Sequence, residues 1–525
     1  MLEPNDAWNY IKSRIKPAWK TAFLAAILFG LLIHMPIMIR DIPNHDGLDS
    51  MHFDQNMITS GRWFLTVACG ISSYFTLPWL IGLLSILYLA LTSVALVEFL
   101  EIKRTSVILL IAGLLVSFPA VASTFAYVFT MDGYMLALLL AVLSVLLTKK
   151  YRLGFLAGAA CLACSMGIYQ AYLPFAVILC IYGILMIAMG GENHAQGKQN
   201  LRDKLRYSLR FLYMGVLGVS GYYVILQLLL KLQGKELASY QGISGMGAVE
   251  KTGLLETVLK MYIDFAAFSL KGNVLFNNIF SLAAVVGLVL LTGITLLHLV
   301  IAKKWWKSVW LYAFLFLLVV GLPISTNLIL LISPDVTYHV LMRYQWVLYP
   351  ILMVGFVERH GIVRVEPGRS AAWKAWILLL TAGVLVWNFA VTDNIAYSNL
   401  QKKYEKTYAY CVRLLDRIEQ TDGYYQGIPI AMVGVIGDES YPMTDITEKA
   451  TSTLIGINGD ALLYRGDNYE LFMKHYLGAT LNILPAESME TMYYNEAYRQ
   501  MGSFPAADSI RIIDGILYIK TENKE

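Results

Sequence analysis

Four carboxylates, Asp41, Asp46, Asp49 and Asp54, and two histidines, His45 and His52, fall in one short segment, RDIPNHDGLDSMHFDQNMITSGRW (40–63). Carboxylates at that density can take a proton from an attacking hydroxyl. They can also hold a divalent ion against a phosphate. Asp46 and Asp49 are candidates for either role, as catalytic groups or as the ligands of such an ion, and His45 is a candidate substrate contact. A solvated acidic loop would have the same composition. Two histidines seven residues apart are too loosely spaced to specify a transition metal. The pairs Pro43–Asn44 and Asp46–Gly47 predict turns, and a helix over 48–60 would put Asp49 and His52 on one face.

Other polar residues interrupt apolar surroundings. Asp132, in FTMDGYMLA, is either the N-cap of a following helix or a catalytic carboxylate facing a cleft. The two roles are compatible. Arg343, in TYHVLMRYQW, can bind a phosphate through both arms of its guanidinium or reach toward lipid headgroups. Arg62 and Lys271 carry the same two readings. Tyr169 and Gln170 sit at a polar break, GIYQAYLP, which lines a binding cavity or makes a turn.

The elements that must position these residues follow from composition. Of 525 residues, 57% are hydrophobic and 15% charged, and mean hydropathy is +0.57. Soluble domains carry about 25% charge, so most of this chain must be covered by lipid. A span needs about 20 apolar residues. Eleven windows qualify, near 21–39, 79–99, 106–127, 133–148, 153–169, 171–190, 211–232, 278–302, 308–332, 345–358 and 375–392. Stretches 63–76 and 255–270 read as helices lying along the interface. One set of connections, with the N-terminus, holds 21 Lys and Arg, and the opposite set holds 6. The basic side is therefore expected inside, the acidic 40–63 loop outside, and the C-terminus outside.

Residues 1–393 are read as the transmembrane catalytic part. Residues 394–525 are read as a small α/β domain outside the membrane, with a strand at 428–436, helices at 462–478 and 487–501, and two strands joined by a Gly turn over 509–522. The CxxC of Cys161 and Cys164 lies in GAACLACSMG, where small residues pack helices together. No Walker A, GxSxG or HExxH pattern occurs. The basic stretch KQNLRDKLRYSLR (198–210) suits anionic membrane lipid, and nothing in the chain points to a nucleic-acid partner.

The acidic loop closing with GRW, the Asp before an apolar helix and the segment SMGIYQAYL resemble the Gtr-type bacterial glucosyltransferases related to O-antigen-modifying enzymes. The resemblance implies a GT-C class fold: an α-helical polytopic membrane protein of about eleven transmembrane helices with an outer C-terminal domain. It implies a hexosyltransferase, with glucose the expected sugar, in the bacterial cytoplasmic membrane. The donor would be a polyprenyl-phosphate-linked sugar and the acceptor a cell-surface glycan. It places the catalytic acid in the first outer loop, at Asp46 or Asp49. Family members often have adjacent acidic residues there, where this chain has D-G-L-D. A polysaccharide polymerase or a lipid-linked glycan flippase or transporter are the competing classes. Against a transporter, the acidic residues gather in a loop and no inverted repeat is visible.

Overall fold

The computed structural model describes residues 3–49, 51–189, 201–238, 251–304, 309–333, 336–362, 369–433, 454, 462–463, 466–489 and 492–521. Among them, eight helices are long and apolar enough to cross a membrane. They are Pro17–Met38, Pro78–Leu100, Val128–Lys150, Gln170–Ala188, Lys204–Gln233, Ile279–Ala302, Val340–Ile362 and Ala371–Glu419. The pair Thr105–Ser117 and Pro119–Phe125 makes a ninth if its 44° bend is counted as one span. The bend has a local cause. Phe118 precedes Pro119 and is extended, at φ −65° and ψ 131°, because the proline ring disfavours helical geometry in the residue before it.

Two expected spans differ from their windows: Gly154–Ile168, with 15 residues, is shorter than a bilayer crossing, and the described residues of 308–332 form Val309–Thr326 and, after a turn, Ile329–Ile332. The first is clamped to the helix Met131–Lys150. A Cβ at Gly154 would stand 1.9 Å from the Leu147 carbonyl oxygen, so only glycine allows this approach. Ser165 Oγ donates to the Ala137 carbonyl at 2.7 Å on the same seam. Cys161 and Cys164 are free thiols.

One end of the bundle is tied by ion pairs. Lys16 and Lys150 meet Glu98 at 2.6 and 3.0 Å, and Lys149 and Arg359 meet Glu101 at 3.0 and 3.2 Å. The opposite end carries the acidic segment. There the helix expected over 48–60 is replaced by a short helix, His45–Asp49. The chain then pairs with 74–76: Phe53 N–H donates to Tyr74 O (3.2 Å) and Thr76 N–H to Met51 O (2.9 Å). His52 stacks on Phe75 at 4.4 Å. Asp49 and His52 therefore share no helical face. Backbone groups here found strand-like partners that periodicity could not foresee.

The helix Arg369–Glu419 runs unbroken past residue 393. Beyond it, four strands form one sheet in the order β2-β1-β4-β3. They are β1 (Pro429–Val433), β2 (Asn482–Ile483), β3 (Ile510–Ile513) and β4 (Ile516–Lys520). β1 is parallel to β2 and β4, and β3 and β4 form the expected hairpin. Its turn, Asp514–Gly515, has φ of 51° and 79°, the twist that a two-residue hairpin favours. Of the helix expected over 487–501, the described residues form Ala486–Met489, Met492–Tyr494 and Glu496–Arg499, with an interruption at Asn495. Asn495 restarts the last by accepting from Ala497 N–H at 2.9 Å.

The C-terminal part rests on the acidic segment. The helix Gly466–Phe472 packs against His45–Asp49, and Tyr476 donates its hydroxyl to Asp41 Oδ2 at 3.2 Å. Desolvation around Asp41 pushes its carboxyl above its ordinary value, and the Tyr476 hydrogen bond pulls part of that back. A carboxyl raised in the folded state binds more protons folded than unfolded. Its stabilisation is full below the unfolded value and is lost as pH rises through the folded one. The melting temperature of wild type, compared with Asp41→Asn, is therefore expected to fall as pH climbs through the acidic range. A constant difference between the two from acid to neutral pH would show that Asp41 titrates normally.

Candidate active site

Asn44 builds the acidic turn. Its side-chain oxygen accepts from Gly47 N–H at 2.8 Å, and its amide donates to the Ala126 carbonyl at 2.9 Å. The first bond caps the helix His45–Asp49, and the second pins that helix to the end of Pro119–Phe125. Asp46 stands on the exposed side of this turn. The backbones of His45 and Asp49 belong to the same helix, and their side chains lie outside the described residues.

The GRW segment is held from the other side. Gln170 donates to the Ser60 carbonyl and to Tyr222 Oη, each at 3.0 Å, and Tyr222 donates to the Gly61 carbonyl at 3.1 Å. Phe64 N–H donates to the Gly167 carbonyl at 2.7 Å. Trp63 lies where a Cβ on Gly167 would come within 2.6 Å, so the glycine of SMGIYQ makes room for the indole. Gln170 is thus a structural clamp in the GRW turn.

This scaffold aims Arg62 at two stacked tyrosines. Its Nη1 donates to Tyr134 Oη at 3.0 Å, and its guanidinium lies 5.0 Å from the centre of the Tyr169 ring. The Tyr134 and Tyr169 rings stack 4.4 Å apart at 7°. The Asp46 turn lies at this same end: Asn44 is bonded to the Ala126 carbonyl and a Cβ on Gly47 would meet Phe129 at 4.0 Å, just before the helix that carries Tyr134. A carboxylate, a guanidinium and a phenol are therefore gathered at one end of the bundle. They supply a base and a positive charge at one end of the bundle, which a displacement with an anionic leaving group requires.

The remaining candidates lie elsewhere. Asp132 is 1% exposed and faces Cys69 and Ser72 behind the segment 65–72. The N-cap of its helix is Thr130. Asp132 sits in the first turn, where Oδ1 accepts from Gly133 N–H at 2.8 Å. Arg343 is 8% exposed and holds Asp264 by both arms, at 2.6 and 2.7 Å. It also donates to the Tyr338 carbonyl at 3.1 Å and lies over the Tyr338 ring at 3.7 Å. Lys271 follows the helix Lys251–Leu270 and is exposed. Among the described residues, no three His, Cys, Asp or Glu side chains gather so as to hold a metal ion.

Sequence reasoning passed over Tyr134 and Asp264. Tyr134 was visible two residues after Asp132. Asp264, alone among apolar residues in KMYIDFAAF, was the signal for a buried partner of a distant arginine.

A helical bundle with this many long apolar segments fits a membrane protein, and the Asp46–Arg62–Tyr134 end fits group transfer. The particular family is given by comparison: residues 35–357 match the family described as Glucosyl transferase GtrII, and the chain belongs to that family. The matched span contains Asp46, Arg62, Tyr134, Tyr169, Gln170, Lys271 and Arg343. No curated protein and no solved structure matches the chain.

Proposed function

We propose that this glucosyltransferase takes glucose from a polyprenyl-phosphate carrier and delivers it to a cell-surface glycan, as in O-antigen modification. The reaction would occur at the outer face of the bacterial cytoplasmic membrane. Asp46 removes the proton of the acceptor hydroxyl, whose oxygen attacks the anomeric carbon as the bond to the carrier phosphate breaks. The carrier leaves as polyprenyl phosphate, and Arg62 compensates its charge. A single displacement of this kind inverts the anomeric centre. Asp49 is the second choice for the base and Asp132 the third. The observation that carries the reading is that the Asp46 turn, tied to the Ala126 carbonyl, and Arg62, bonded to Tyr134, stand at the same end of the bundle.

In this proposal the chain crosses the membrane eleven times with its N-terminus inside, and residues 394–525 lie outside as a separate domain. Two measurements test it. Membranes containing the protein are expected to transfer label from polyprenyl-phosphate glucose to surface glycan and to ignore a nucleotide-linked glucose. Label transferred from the nucleotide sugar alone would reject the donor. Fusions at the C-terminus are expected to give active alkaline phosphatase and a dark cytoplasm-only fluorescent reporter. Fluorescence without phosphatase activity would put the proposed base on the wrong side.

A further inference from the structure

Besides the tyrosine-lined end, a groove of about 530 Å³ runs between the helices Pro17–Met38 and Arg369–Glu419. Its volume falls within the roughly 300–1,000 Å³ of ligand pockets. The two walls differ in chemistry. One is apolar, with Leu28 and Leu32 exposed at 57% and 67%. At the far end stand Arg40, Asn394 and Ser398, all exposed. Arg40 makes no ion pair or hydrogen bond among the described residues, and the Ser398 hydroxyl has no partner there either. Gln401 donates to Glu405 at 2.6 Å and the Asn394 amide to the Ala390 carbonyl at 2.8 Å, so this end is left to Arg40 and Ser398.

The groove floor is fixed. Tyr397 lines it, and its hydroxyl bonds His34 Nδ1 at 2.7 Å, while His34 Nε2 bonds the Val116 carbonyl at 3.0 Å. The groove also leads toward the acidic turn. Ile42 lines it together with Arg40, and Ile42 also lines the small cleft that contains Asn44 and Gly47, on either side of Asp46.

We propose that this groove holds the isoprenoid chain of a polyprenyl phosphate, with Arg40 gripping its phosphate. This rests on the donor reading above and adds where the lipid carrier lies. An apolar trough that ends in a cation unpaired among the described residues matches an amphiphile with one long chain and one anionic head. Arg40 precedes Asp46 by six residues, so an anionic head held there would sit next to the acidic turn, and that nearness favours the reacting lipid over a bilayer phospholipid.

The test is native mass spectrometry of the purified full chain titrated with undecaprenyl phosphate, with dioleoyl phosphatidylglycerol as competitor. Wild type is expected to retain undecaprenyl phosphate against a tenfold excess of phosphatidylglycerol. Arg40→Glu, and separately Leu32→Trp, should weaken binding by about tenfold or more, since each removes one of the two features the lipid needs. Both positions are exposed, and matched thermal unfolding excludes a folding defect. Binding to both variants at wild-type strength would overturn the groove and leave the donor reading standing. Equal displacement by phosphatidylglycerol would make it an ordinary bilayer-lipid site and overturn the proposal. Failure of wild type to bind undecaprenyl phosphate at all would reject the donor reading, and the groove assignment with it.

Discussion

Asp46→Asn is expected to insert and fold normally and to transfer sugar about 10²–10⁴-fold more slowly, the usual loss when a general base is removed. The amide keeps the shape of the carboxylate but cannot accept the acceptor proton. Stability should change by less than about 0.5 kcal/mol, because Asp46 is exposed and the turn is held by Asn44 instead. Asp49→Asn should be milder. The measurement is initial rate on purified variants whose thermal unfolding matches wild type. Near wild-type rates for both would make the acidic segment a solvated surface. Asp132 would then be the next carboxylate to test, and its burial against Cys69 and Ser72 means that it would need the segment 65–72 to move before substrate could reach it.

The second large effect is at Arg343, and the structure changes its character. The sequence offered either a phosphate ligand or an anchor to lipid headgroups. In the fold both arms of the guanidinium already hold Asp264. Arg343→Ala should therefore cost stability of about 3 kcal/mol, the lower end for breaking a buried pair, because Asp264 keeps 24% exposure. Arg343→Lys should recover only part, since an ammonium cannot match the fork. Adding Asp264→Leu to Arg343→Ala should restore much of the lost melting temperature, by removing the stranded charge. If the double variant is stable but inactive, Arg343 also contributes to donor binding. If Arg343→Ala is as stable as wild type and fails only in transfer, the ion pair is incidental and the phosphate role leads.

These outcomes separate what linear reading could and could not reach. Long apolar windows are a composition property, so most of the helices from Pro17 onward were legible, and so was the β3–β4 hairpin with its Asp-Gly turn. The acidic turn was legible because Pro, Asn and Gly constrain backbone locally. The family resemblance rested on the same local segments, GRW and SMGIYQAYL, and the match over residues 35–357 covers both. Lengths of short helices were less legible. Gly154–Ile168 stops at Ile168 because Tyr169 is extended and Gln170 turns to clamp Ser60, a decision made 110 residues away.

What the sequence determined by itself was the membrane-suited helical character, the acidic segment and the small α/β tail, because hydropathy and turn chemistry act over neighbouring residues. Only the tertiary structure decided the partners. It put Arg62 rather than Arg343 beside Tyr134, gave Arg343 to Asp264, hid Asp132 behind 65–72, and left Arg40 at the end of a groove with no partner among the described residues. The physical reason is common to all four. A charged group near an apolar bundle must find a counter-charge, a hydrogen bond or water, and which of these it meets depends on residues 60 to more than 350 positions away in the chain. Residue type and spacing carry no record of that encounter.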